Sequence, residues 1–171
     1  IEYAGLGGIR MDTYVYPDEN YMSRWSERMM NEYPNFNIAG EVWHTNPSIV
    51  SHWQRGKINA NGYQSYLPTL FDFPLQNALR NALMSPDEGD SGWAMVYEML
   101  AQDFLYADPL NLVVFPDNHD MSRMYAQLKE DVSKLELAFA FTLTTRGITQ
   151  FFYGDEILMS SPEKRDDELI C

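Results

Sequence analysis

Five short apolar runs, separated by longer stretches of helical period, constrain this chain more than any other feature. They fall at Leu6–Tyr14, Asn37–Trp43, Tyr66–Phe73, Leu110–Phe115 and Ile148–Tyr153. Short apolar runs bounded by turn residues are the pattern of strands buried on both faces. When such strands alternate with helices long enough to cross back over a sheet, the sheet is parallel and the class is α/β. A doubly wound open sheet would place a Gly-rich phosphate loop after one of its strands. The sequence has none. Three of the runs instead end in charged or polar clusters, and a (β/α)8 barrel keeps its chemistry at the C-terminal ends of its strands. A complete barrel takes roughly 250 residues. The expectation for these 171 residues is therefore a single domain, 1–171, that forms part of such a barrel.

The intervening stretches support this reading. From Tyr21 to Tyr33, Met22, Trp25, Met29 and Met30 lie on one helical stripe, with Arg24, Glu27 and Arg28 opposite. Asp18 or Asn20 is placed to cap that helix and Pro34 to end it. Further helices are expected at Pro74–Ser85, at Gly92–Tyr106, and over Met121–Thr145 with a break near Glu130 and Asp131. His44 and His52 lack metal-site spacing, and His52 reads as a surface or structural residue. The tail after Met159 is charged and expected to be mobile.

Composition narrows the function classes. A hydrophobic content of 45% excludes a disordered chain, and no apolar run approaches the roughly 20 residues of a membrane span. A net charge of −13 argues against nucleic acid or an anionic membrane as partner but leaves a neutral substrate unaffected. Aromatic residues at 14% suit a carbohydrate cleft. The lone Cys171 cannot form an internal disulfide. The chain opens at Ile1 without an initiator Met or a basic, apolar leader, so it reads as a piece of a longer protein, and its compartment stays open.

The polar clusters carry the chemistry. In Gly8-Ile9-Arg10-Met11-Asp12-Thr13, strand alternation puts Arg10 and Asp12 on one face, a permanent cation beside a carboxylate. An ionised, positioned Asp is what a nucleophile in glycosyl transfer must be. Glu41 sits at the C-terminal end of the second run, and Trp43 follows. A carboxyl group against indole is partly desolvated, which favours its protonated form and suits a general acid. The fourth run delivers Pro116-Asp117-Asn118-His119-Asp120, a dense polar loop just past a strand. Each stretch taken alone also has a plain structural explanation: an Arg–Asp pair at a strand end, a solvent-facing Glu, or an Asx turn with Asp120 as a helix cap.

Together and in order, Gly8–Asp12, Gly40-Glu41-Val42 and Phe115–Asp120 resemble the second, third and fourth signature regions of the α-amylase family, glycoside hydrolase family 13. Gly147–Glu156 resembles the family's last barrel strand. The stretches Tyr16-Pro17-Asp18 and Asn35-Phe36-Asn37 are most similar to cyclomaltodextrinases and neopullulanases. The resemblance implies a partial (β/α)8 TIM barrel, about strands 4 to 8 with their helices.

It also implies a mechanism. Asp12 would be the nucleophile, Glu41 the general acid/base, and Asp120 the third carboxylate that grips the sugar. Arg10 would hold Asp12 ionised, His119 would bond a sugar hydroxyl, and Asn118, Trp43 and His44 would contact substrate. The reaction would be retaining hydrolysis of α-glucosidic bonds in maltooligosaccharides, cyclodextrins or pullulan. A transglycosylase, a sucrose-type isomerase or a truncated glucan-binding module are the alternatives. Many amylases carry a Lys-His pair shortly after the nucleophile, tied to calcium. Here Thr13-Tyr14-Val15-Tyr16 stands in its place, so neither calcium nor any other cofactor is expected. The first signature region has no counterpart, and open strand edges predict that the isolated chain self-associates with little activity of its own.

Overall fold

The computed structural model describes residues 1–161. Five strands form one sheet in the order β1-β2-β3-β4-β5: β1 (Gly8–Met11), β2 (Asn37–Gly40), β3 (Thr69–Phe71), β4 (Leu112–Val114) and β5 (Ile148–Thr149). The pairs β1–β2, β2–β3 and β3–β4 are parallel, and Gln150 N–H, just past β5, donates to Val114 O at 2.9 Å. The helices are α1 (Glu19–Glu32), α2 (Pro47–Ser51), α3 (Phe73–Met84), α4 (Trp93–Leu100), α5 (Met124–Gln127) and α6 (Val132–Thr144). Spatial order equals chain order, with helix between strands. That is the winding of a barrel, not of a doubly wound sheet whose order reverses. The fold is a partial (β/α)8 barrel.

Local sequence explains the helix ends. The Asp18 carboxylate accepts from Tyr21 N–H at 2.8 Å and caps α1, Asn46 caps α2 with Pro47 in its first turn, and Asp131 caps α6. Lys129 and Glu130 both have positive φ, which breaks the helical stretch between α5 and α6 at the position the sequence indicates.

The chain divides into two compact units. Ile1–Phe73 and Gln102–Val113 make the first; Pro74–Ala101 and, among the described residues, 114–161 make the second. Each has its own core. The first buries Tyr14, Met22, Ile38, Val50, Leu67, Leu70 and Leu112; the second buries Leu75, Leu79, Val96, Val114, Met124 and Leu135. The Met stripe of α1 is core, as Met22 and Met30 show. His52 is structural: its Nε2 meets Glu19 Oε1 at 3.1 Å and its ring stacks on Tyr63.

Two expectations change. The strands are shorter than the apolar runs, because pairing stops where the chain bends into its loops. The stretch expected as one helix over Gly92–Tyr106 ends as α4 at Leu100 and resumes as a 3-10 turn at Asp103–Leu105. Val96 belongs to the second core and Tyr106 to the first, so one continuous helix does not serve both. The expected mobile tail lies almost wholly outside the described residues.

Candidate active site

In the first unit the site grows directly from strand register. β1 and β2 pair Arg10 with Ala39 and Met11 with Gly40. The ladder runs one step further, with Glu41 N–H donating to Met11 O at 2.9 Å and Tyr14 N–H to Glu41 O at 3.1 Å. Asp12 and Glu41 are thus the first residues past two adjacent parallel strands. Carboxylate oxygens of the two lie within 4.8 Å of each other.

Arg10 joins them. Its Nη2 donates to Glu41 Oε1 at 2.6 Å and its Nη1 lies 3.5 Å from Asp12 Oδ2. The guanidinium also sits 5.8 Å from the centre of the Phe71 ring. Glu41 is 4% exposed, whereas Asp12 is open to solvent. Thr13 follows with φ 47°, a left-handed conformation that a β-branched residue rarely adopts. This turn brings Thr13 N–H to 3.3 Å from Glu41 Oε2. Backbone strain beside two carboxylates is the kind of outlier that clusters at functional sites. Gly40 sits at a close approach: a Cβ there would lie 2.5 Å from Leu67 Cδ2 and 3.1 Å from Tyr14 Cγ, so a side chain would have to shift.

One sequence expectation is modified: Arg10 is expected to serve Asp12, yet its shorter contact is to Glu41. Trp43, expected as an apolar neighbour of Glu41, stacks its ring on Phe73, with centroids 5.0 Å apart and planes at 17°. Glu41 is desolvated as expected, but its carboxylate meets Arg10 and the Thr13 amide. The exposed His44 accepts from Asn46 N–H through Nδ1 at 2.9 Å, which leaves Nε2 as its donor.

In the second unit, β4 leads into Asp117–Asp120. Asn118 is buried, and its Oδ1 accepts from Asp120 N–H at 2.9 Å. This is an Asx turn, and it fixes the backbone that presents Asp120. His119 Nε2 lies 3.1 Å from Asp120 Oδ2, and the His119 ring is 6.3 Å from that of Phe152.

Behind this loop lies a cluster that sequence reasoning missed. Asp117 and Arg123 are both fully buried. Arg123 Nε donates to Asp117 Oδ2 at 3.2 Å and Nη2 to Asp155 Oδ1 at 2.7 Å. Burial and the neighbouring Asp155 charge push the Asp117 carboxyl up to about 7. The sequence signal was an Arg three residues past Asp120, with no local hint of its partner 32 residues on.

A singly wound parallel sheet with carboxylates just past its strand ends defines part of a barrel-type catalytic domain. The family described as "Alpha amylase, catalytic domain" matches residues 10–169, and the chain belongs to this family. It is 31% identical over 163 residues to a cyclomaltodextrin glucanotransferase of Bacillus sp. (strain 38-2), covering 95% of this chain and 22% of that protein. It is 24% identical over 159 residues to a β/α-amylase of Paenibacillus polymyxa, covering 89% of this chain and 12% of that one. The chain thus spans about a fifth or less of the length of these relatives. Among solved structures, it aligns with an α-amylase from Geobacillus thermoleovorans, complexed with acarbose, at a TM-score of 0.81 and 22% identity. That alignment covers 100% of this chain and 37% of the other. A cyclic α-maltosyl-(1→6)-maltose hydrolase from Arthrobacter globiformis aligns at a TM-score of 0.78 and 14% identity, over 98% and 35% of the two chains.

Proposed function

We propose that the protein carrying this chain cleaves α-glucosidic bonds in starch-derived oligosaccharides with retention of configuration. The observation that carries the reading is the approach of Asp12 and Glu41 within 4.8 Å. Retaining glycosidases hold their two carboxyl groups about 5–5.5 Å apart, while inverting enzymes need roughly 6.5–9.5 Å to admit a water. Family membership supports the same chemistry.

In this mechanism Glu41 protonates the leaving oxygen and Asp12 attacks the anomeric carbon, forming a glycosyl-enzyme. Glu41 then draws a proton from water, or from an acceptor hydroxyl, which attacks the same carbon and releases Asp12. Burial of Glu41 and exposure of Asp12 fit these parts: desolvation favours the acid form of Glu41 against the pull of the adjacent Arg10 cation, and the nucleophile must reach substrate. Arg10 orders both carboxylates. Asp120 acts as the third carboxylate on the sugar hydroxyls, with His119 beside it, and Asn118 works through the turn it builds. Trp43 and His44 take substrate contacts in this reading, which their exposure allows.

A second reading makes the acceptor a sugar rather than water. The cyclomaltodextrin glucanotransferase relatives favour it, and all three carboxylates would keep their roles. Product analysis on maltooligosaccharides and cyclodextrins separates hydrolysis from transfer. For the mechanism itself, Asp12→Asn and Glu41→Gln should each cost at least about 10³-fold in turnover while leaving the fold intact. Activity within about tenfold of wild type for either variant refutes the role given to that residue.

A further inference from the structure

We propose that Arg123 is a positioning residue for the Asn118-His119-Asp120 loop, holding it through Asp117 on one side and through the ring of Phe152 on the other. The inference deepens the reading above and rests on the role given there to Asp120.

The guanidinium is fully buried and uses every edge of its planar fork. Nε donates to Asp117 Oδ2, and Nη2 to Asp155 Oδ1. Nη1 donates to Tyr153 O at 2.9 Å, and Nη2 lies 3.4 Å from Phe152 O. The guanidinium carbon stands 4.6 Å from the centre of the Phe152 ring, and that ring lies beside His119. Asp117 also accepts from Met124 N–H. A continuous set of directional contacts therefore runs from the segment after β5, through Arg123, to the residue just before Asn118. Asn118 then hands it to Asp120 through the Asx turn.

Energetics point the same way. Burying two carboxylates and a guanidinium gains little stability over apolar side chains of similar volume, because desolvation offsets the attraction. Here the cost is visible: Asp117 Oδ1 is buried with no hydrogen-bond partner among the described residues. What the charged cluster supplies, and apolar packing would not, is fixed direction. Lysine cannot replace it, since a single ammonium has no rigid fork to span two carboxylates and two carbonyls.

The test is a double-mutant cycle in the complete enzyme, with Arg123→Lys crossed against Asp120→Asn and rates taken per folded molecule, well below the melting temperature. Arg123→Lys alone should lower kcat by at least about tenfold and move KM by less than about threefold. In the Asp120→Asn background the further loss should be under about threefold. Equal losses in both backgrounds overturn the proposal. The nitrogen resonances of the His119 ring are followed in parallel; they should shift in Arg123→Lys, and an unmoved ring also overturns it. If Asp120→Asn keeps activity within about tenfold, the reaction role of Asp120 fails, and the His119 resonances alone decide the positioning claim. If Arg123→Lys does not fold, Phe152→Leu, which keeps Arg123, Asp117 and Asp155, takes its place in the same cycle with the same deciding outcomes.

Discussion

Arg10 bonds Glu41 more closely than it bonds Asp12: 2.6 Å against 3.5 Å. One guanidinium thus spans the buried carboxylate and the exposed one. It bonds the carboxyl proposed as the acid and keeps a cation near the carboxylate proposed to attack.

Arg10→Lys should lower kcat/KM by about 10- to 100-fold. That is the loss expected for one charge-assisted hydrogen bond of ~1.5–3 kcal/mol, since lysine can meet one carboxylate but not both in fixed geometry. Steady-state kinetics on a maltooligosaccharide measure this. Undiminished kcat/KM would show that the shared fork has no part in the reaction.

Gly40 offers a packing test next to Glu41. The added methyl of Gly40→Ala would press on the buried Leu67 side chain and on the Tyr14 ring. Overpacking of this kind costs about 1–3 kcal/mol. Any shift of the backbone also displaces Glu41, so turnover should fall along with the denaturation midpoint. A variant as stable as wild type would mean that Leu67 relaxes freely.

How far the sequence revealed this arrangement depends on range. The alternation of apolar runs and helical stretches located all five strands and the break near Glu130, and narrowed the first helix's cap to Asp18 or Asn20, because each is set within a few residues of chain. Asp12 and Glu41 were legible because each lies near the C-terminal end of a short apolar run, and parallel register does the rest. Strand ends were less legible: apolar character continues to Trp43, while β2 ends at Gly40. The choice of partners was not legible. Arg10 turning to Glu41, Trp43 stacking on Phe73 and Arg123 pairing with Asp155 are all made across about 30 residues of chain, and no local periodicity encodes them.

Asp117 sets a pH signature. Its folded carboxyl is raised to about 7, against about 3.9 when unfolded. Between those values the native state binds the extra proton, so stability falls as pH rises through the window, by at most about 1.4 kcal/mol per pH unit. Asp117→Asn removes that proton site. The stability difference, wild type minus variant, should therefore decline steadily from about pH 4 to pH 7 and flatten above it. Chemical denaturation across this range checks it. A difference that stays level or rises with pH would contradict the raised value.

The central claim is that Asp12 becomes covalently bound to sugar while Glu41 serves as acid and base. The most direct measurement is trapping with a fluorinated α-glucosyl substrate that slows deglycosylation, followed by mass spectrometry of the digested complete enzyme. The account predicts one added glycosyl group on the peptide containing Asp12, formed by wild type and accumulating further in Glu41→Gln when the leaving group is activated. A glycosylated residue other than Asp12, or turnover with inverted anomeric configuration and no adduct, would contradict it.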